Sequence, residues 1–250
     1  MVIGSKIFHK DKVFNSMDWA KENLETAPNG SVFIANFHEH TRGRQERTWV
    51  FDKDQLTATI LLKPTNLNAI SEKDLPLRLN QLNMAITLGI LKPLRKFEIE
   101  LKWANDFYYD GKKLGGILSQ VEWQNNKIIG IIIGFALNVN NSSPQLAKEG
   151  YKAISIFEIL NKKIDKEVLL KEIISSMNYF YNKWLHLEFN EIFVSWKQNQ
   201  DYLNKQVTIH KKNGSLTSGT FINVLENGDI QIKKGPEIIQ IPFYFVENLY

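Results

Sequence analysis

Three arginines fall within six residues, in the segment Thr41-Arg42-Gly43-Arg44-Gln45-Glu46-Arg47-Thr48-Trp49. The chain has only two others, Arg78 and Arg95, and takes the rest of its basic side chains from lysine. A chain that uses lysine elsewhere and arginine here uses the planar guanidinium itself, whose rigid fork of donors suits phosphate and carboxylate oxygens. Gly43 lets backbone approach a ligand closely, and Trp49 offers an apolar platform. The bland alternative, a solvated basic loop, leaves the clustering of arginine unexplained. Three further segments carry reactive residue types. Lys102-Trp103-Ala104-Asn105-Asp106 ends a strand with an amide and a carboxylate, although Asn-Asp in that place is commonly only a turn. Lys112-Lys113-Leu114-Gly115-Gly116-Ile117-Leu118 sets a glycine pair inside a strand pattern, a sign of close approach by a ligand or a neighbouring segment. Gly134-Phe135-Ala136-Leu137-Asn138-Val139-Asn140 is an apolar strand leaving through alternating asparagines.

These segments need elements to hold them, and the patterning predicts alternating short strands and helices. Lys6–Phe14 reads as a strand. A helix follows from Ser16, placed as its N-cap, to about Thr26, closed by Pro28-Asn29-Gly30. Ser31–Phe37 and Gln55–Lys63 read as strands, the second alternating threonine with apolar residues. A long amphipathic helix runs from Glu72 to about Leu91 and stops near Pro93. Phe97–Trp103, Leu114–Trp123 and Lys127–Asn138 are strands, with turn signals at Asp110-Gly111 and Asn125-Asn126. Helical patterns cover Ile154–Leu160 and Lys166–Asn199. Beyond a boundary near Tyr202–Lys205, Asn213-Gly214 and Asn227-Gly228 punctuate three or four short apolar runs, which suggests a small antiparallel barrel. Trp19, Trp123, Trp184 and Trp196 are expected in core or helix packing.

Composition excludes several chemistries. The 250 residues contain no cysteine, so disulfides, thiolate zinc sites, iron–sulfur clusters and cysteine nucleophiles are out. No apolar run reaches the roughly 18 residues that a membrane span needs, and the charged start MVIGSKIFHKDKVF is unlike a signal peptide, so a cytoplasmic protein is expected. A net charge of +4 argues only weakly for a nucleic-acid partner.

Taken in this order, the four segments resemble the biotin protein ligases, the biotin–[acetyl-CoA-carboxylase] ligase enzymes. The family's Gly-Arg-Gly-Arg-x-Gly-Arg-x-Trp loop is similar to Thr41–Trp49, and its Lys-Trp-Pro-Asn-Asp to Lys102–Asp106. Its basic-Lys-Leu-small-Gly-Ile-Leu is similar to Lys112–Leu118, and its Gly-x-Gly-x-Asn-x-Asn to Gly134–Asn140. Trp196, Tyr202-Leu203 and the short strands after them resemble the family's C-terminal SH3-like domain. The sequence departs from the family pattern at Ser16-Met17-Asp18, where the family has Ser-Thr-Asn. It also departs at His38 (family glutamine), at Thr41 and Glu46 (glycines), and at Ala104 (proline).

The resemblance implies an α+β fold: a class II synthetase-like catalytic domain, a mixed central sheet with flanking helices, over residues 1–203, and an SH3-like β-barrel over 204–250. It implies ATP-dependent biotinylation of a lysine on a biotin carboxyl carrier protein or domain, such as that of acetyl-CoA carboxylase, through biotinyl-5′-AMP. Catalytic roles fall on Lys113, Asp106 and Lys102. Biotin contacts fall on Ser16, Met17, Asp18, His38, Arg42, Gly43, Arg44, Lys113, Gly115 and Gly116. Contacts to ATP or the adenylate fall on Arg42, Arg44, Arg47, Trp49, Asn105, Lys113, Asn138 and Asn140. Mg²⁺ is expected on the triphosphate with no protein ligand. The chain starts where the family's catalytic domain starts, so the monofunctional form without a helix-turn-helix domain, and hence no DNA partner, is the expectation. Exposed sheet edges allow a homodimer. Two alternatives stay open: a relative that activates lipoate or octanoate on the same fold, and a non-catalytic protein that binds biotin or an adenylate.

Overall fold

The structure, a computed structural model, describes residues 2–43, 49–142 and 152–249. Among the described residues, twelve strands form two sheets and five α-helices pack around them. The strands are β1 (Ile7–Val13), β2 (Ser31–His38), β3 (Leu56–Leu62), β4 (Glu100–Lys102), β5 (Asp106–Tyr109), β6 (Lys112–Gln124), β7 (Lys127–Leu137), β8 (Gln206–Lys211), β9 (Leu216–Val224), β10 (Ile230–Lys234), β11 (Glu237–Ile241) and β12 (Val246–Leu249). The helices are α1 (Ser16–Glu22), α2 (Leu75–Leu94), α3 (Ile156–Leu160), α4 (Lys166–Leu185) and α5 (Phe189–Gln198).

The first sheet has the order β1-β2-β3-β7-β6-β5-β4. β1 and β2 are parallel, which requires a crossover, and α1 supplies it. The remaining pairs of this sheet are antiparallel. Residues two apart on a strand face the same way, so each strand builds two cores. Phe33, Ala35, Leu61 and Ile132 meet Met17, Trp19 and Ala20 of α1. Val32, Ile60, Leu62, Ile131 and Ile133 bury against α2 and α4 on the other face. The second sheet, β11-β10-β9-β8-β12, is antiparallel throughout. It packs on the end of the first sheet at Trp103, whose indole N–H donates to Gly228 O (3.2 Å) and whose ring meets Phe243 edge-on.

Several predicted boundaries move. The cap of α1 is Asn15, whose Oδ1 accepts from Met17 N (2.8 Å), and the helix ends at Glu22. Ser16 instead turns inward, its hydroxyl 2.8 Å from that of Thr59. Pro93 falls inside the last turn of α2 rather than ending it. The run Phe97–Trp103 is a strand only over Glu100–Lys102, because Arg95–Phe97 continue as a 3-10 turn and Glu98 is left-handed. Asp106 opens the short strand β5 instead of lying in a loop. The helical pattern from Lys166 to Asn199 is two helices, broken where Leu187 takes a positive φ of 65°. Trp19, Trp184 and Trp196 are buried as expected, whereas Trp123 is 51% exposed near the β6–β7 turn. That turn has positive φ at both Asn125 and Asn126, the backbone that a two-residue hairpin demands. No helix among the described residues is long and apolar enough to cross a membrane.

Candidate active site

One cleft gathers residues from distant parts of the chain: the start of α1, the end of β2, the segment Thr41–Gly43 with Trp49, the middle of β3, and the adjoining stretches of β5, β6 and β7. It encloses about 660 Å³ including its open mouth. Ile117, Leu118, Phe135 and Ala136 make an apolar wall.

Against this wall stand two hydroxyl-bearing pairs. Ser16 Oγ lies 2.8 Å from Thr59 Oγ1, and His38 Nε2 lies 3.2 Å from Thr57 Oγ1. Thr57 and Thr59 reach the same cleft because they sit two apart on β3. Burial pushes the His38 imidazole below its usual pKa, which keeps the ring neutral at neutral pH. Its ring also packs 4.9 Å from Phe51. Met17 lines the cleft beside them.

The charged residues lie further along. Lys113 Nζ donates to Asp106 Oδ2 at 2.8 Å, with side-chain exposures of 24% and 10%. Asp106 faces Gly116 in the β5–β6 register, and a Cβ built on Gly116 would stand 2.6 Å from Asp106 Oδ1. Glycine there is what lets the carboxylate lie flat on the sheet. Gly115 faces the other way, where a Cβ would stand 2.3 Å from Ala136 O; it permits the tight β6–β7 pairing and does not line the cleft. The Trp49 ring centroid is 5.8 Å from Lys113 Nζ, within cation–π range. Arg42 closes the rim through an ion pair with Asp18 of α1. Among the described residues the cleft thus has two cations, Lys113 in its lining and Arg42 at its rim, paired with the carboxylates Asp106 and Asp18, and an arriving anion can take the place of either carboxylate.

The remaining sequence-selected residues divide. Arg44 and Arg47, together with Glu46, lie outside the described residues. Lys102 is buried beneath Tyr108 and Tyr202, its ammonium 4.9 and 5.4 Å from their ring centroids, and does not line the cleft. Asn105 Nδ2 donates to Ile117 O (2.8 Å), while its buried Oδ1 meets no partner among the described residues. Asn138 and Asn140 stand behind the cleft wall with their amides on backbone. Asn138 Nδ2 donates to Ile154 O (3.1 Å) and Asn140 Nδ2 to Ile164 O (2.9 Å). Sequence reasoning missed Asn15, Thr57, Thr59 and Gln55. The threonine alternation in Leu56–Leu62 carried a signal for the two threonines; nothing in the sequence marks Gln55.

Residues 9–138 match the model of the biotin/lipoate A/B protein ligase family. The chain is 24% identical over 203 residues to the bifunctional ligase/repressor BirA of Bacillus spizizenii, covering 78% of this chain and 60% of that protein. The chain thus spans about 60% of the length of the BirA proteins it matches. It is 22% identical over 246 residues to biotin–protein ligase 2 of Arabidopsis thaliana, covering 91% of this chain and 71% of that one. The fold superposes on the biotin protein ligase of Aquifex aeolicus solved with biotin and ATP with a TM-score of 0.82, at 23% identity and 98% and 99% coverage. The Leishmania major enzyme with biotinyl-5-AMP gives 0.60 at 19% identity, covering 95% and 97%. A family model that spans more than half of the chain settles its membership: the chain belongs to the biotin/lipoate A/B protein ligase family.

Proposed function

We propose that this protein joins biotin to a lysine of a biotin carrier domain at the cost of ATP, through a biotinyl-adenylate, with residues 1–203 as catalytic domain and 204–250 as C-terminal barrel. The observation that carries the reading is the Lys113–Asp106 pair, 2.8 Å apart in a cleft with Arg42 at its rim. The relatives named for biotin ligation, and the similar folds solved with biotin, ATP and biotinyl-5-AMP, support the choice of substrates.

In the first step a biotin carboxylate oxygen attacks the α-phosphorus, forming the acyl–phosphate bond as pyrophosphate leaves. Two anions must meet and negative charge grows on the α-phosphate, so fixed cations lower the barrier. Lys113 supplies one at the cleft floor and Arg42 another at the rim. Mg²⁺ would travel on the triphosphate and offset part of its charge. In the second step the carrier amine attacks the activated carbonyl and AMP leaves. A free lysine is protonated near neutral pH, so the amine must give up a proton. Asp106, released as Lys113 follows the phosphate, orients the amine and accepts that proton.

The hydroxyl and imidazole groups of Ser16, Thr59, His38 and Thr57 favour biotin over lipoate. A cyclic urea offers donors and an acceptor to such groups, whereas a dithiolane ring offers none. A mass assay tests the proposal. Purified protein with biotin, ATP and Mg²⁺ is expected to form biotinyl-AMP, and an added carrier domain to gain the mass of one biotin. Adenylate formed from lipoate but not from biotin would replace the substrate. No adenylate from either would leave a binding protein.

A further inference from the structure

Gln55 sits just before β3 and makes every hydrogen bond that a carboxamide can make. Its Oε1 accepts from the Trp49 indole Nε1 (3.2 Å) and from the Asp52 backbone N–H (3.3 Å). Its Nε2 donates to Val50 O (2.8 Å) and to Asn138 Oδ1 (3.0 Å). Asn138 in turn donates to Ile154 O and, at 3.4 Å, to Lys113 O, while its own backbone N–H bonds Leu114 O (2.8 Å). From behind, Lys166 Nζ at the start of α4 donates to the carbonyl of Gln55 (2.9 Å). A continuous run of hydrogen bonds therefore leads from the Trp49 indole to the backbone of Lys113, whose ammonium lies 5.8 Å from that same indole. Gln55 is 4% exposed and Asn138 1%. Burying two amides is costly unless each is fully paired, and apolar side chains could fill the same space without that demand. What the amides add is direction.

We propose that Gln55 is a positioning residue for adenylate formation. It sets the plane of the Trp49 indole and, through Asn138, the backbone from which Lys113 projects, so that platform and ammonium keep one spacing around the reacting α-phosphate. The inference rests on the ligase reading above. Rate is the sensitive quantity, because a shift of about 1 Å in a reacting group costs about a hundredfold.

Two variants test it. Trp49→Phe keeps a ring but removes the N–H that Gln55 holds. Gln55→Met keeps length and burial but removes the amide. Each should lower kcat for adenylate formation about tenfold, while the biotin Kd, read by calorimetry, moves less than about threefold. In the double variant the rate should fall no more than about threefold below Gln55→Met, because both act through one contact. Acrylamide quenching gives a readout independent of activity. The emission assigned to Trp49, obtained by subtracting the matching Trp49→Phe protein, should become about twice as accessible in Gln55→Met, an indole freed from its tether being a locally loosened one.

A wild-type rate in Trp49→Phe overturns the proposal, whether or not Gln55→Met folds. So do fully additive effects, or a biotin Kd that weakens in step with kcat, which would mark general loosening. If wild-type protein forms no adenylate, the ligase reading fails, and quenching alone judges the coupling: unchanged Trp49 accessibility in Gln55→Met then overturns it.

Discussion

Lys113 and Asp106 share a face of the sheet only because β6 carries a bulge. Asp106 pairs with Gly116 and Phe107 with Gly115, but Tyr108 pairs with Lys113 rather than Leu114. Without that extra residue Lys113 would point to the opposite face, since a one-residue shift inverts every side chain beyond it. The bulge sends Leu114 into the core and turns Lys113 across to Asp106, which it meets at 2.8 Å.

Removing the ammonium should therefore affect chemistry first and stability second. Lys113→Ala is expected to slow biotinyl-AMP formation by about 10²–10³-fold, as loss of a preorganised charge does. It also takes the ammonium partner from the mostly buried Asp106 carboxylate, at about 1–3 kcal/mol, readable by thermal unfolding. Asp106→Asn should slow transfer to the carrier far more than adenylate formation. Equal losses in both steps would argue against a role for Asp106 on the incoming amine.

The two adjacent glycines should respond differently to the same methyl group. Gly116→Ala places it against Asp106 Oδ1 at 2.6 Å, a side-chain atom that can move. The expected result is a folded protein with activity down about ten- to a hundredfold. Gly115→Ala places it 2.3 Å from the Ala136 carbonyl, which is backbone in the middle of the sheet. That variant should lose about 1–3 kcal/mol of stability in chemical denaturation.

Asp18 holds Arg42 at the rim before any ligand arrives. A ligand carboxylate or phosphate must compete with it for the guanidinium. Asp18→Asn should tighten biotin binding about three- to fivefold at low salt, with the gain shrinking as ionic strength rises. Both partners are substantially exposed, so stability should hardly change. Calorimetry at two salt concentrations checks the first point and a melting curve the second.

His38 gives a pH dependence whose sign follows from its burial. In the unfolded chain the imidazole takes a proton near pH 6.5; in the folded protein burial delays uptake to lower pH. The unfolded state thus binds more protons between the two values, and folding stability falls as pH drops through that window. His38→Gln should reduce the fall in Tm between pH 7.5 and 5.5, by about 2–4 °C for each kcal/mol of linkage removed. An identical pH profile in the variant would refute the assignment.

Much of this protein was legible in its sequence. Short apolar runs marked the strands, Asn125-Asn126 marked the hairpin whose backbone it demands, and Asn213-Gly214 and Asn227-Gly228 marked turns of the second sheet. The four motif segments named the family, because reactive residue types at those spacings are carried locally by the chain. Local signals say nothing of partners far away in sequence, and there the tertiary structure decided. It turned Ser16 from helix cap to cleft wall by offering it Thr59, 43 residues on. It broke one predicted helix at Leu187 and made a strand of Asp106–Tyr109. It set Asn138 to holding backbone, and it gave Gln55, unremarkable as a letter, four hydrogen bonds. The physical reason is common to all of these. Burial obliges each polar group to find a partner, and which partner lies within reach is a property of the packed chain rather than of its neighbours in sequence.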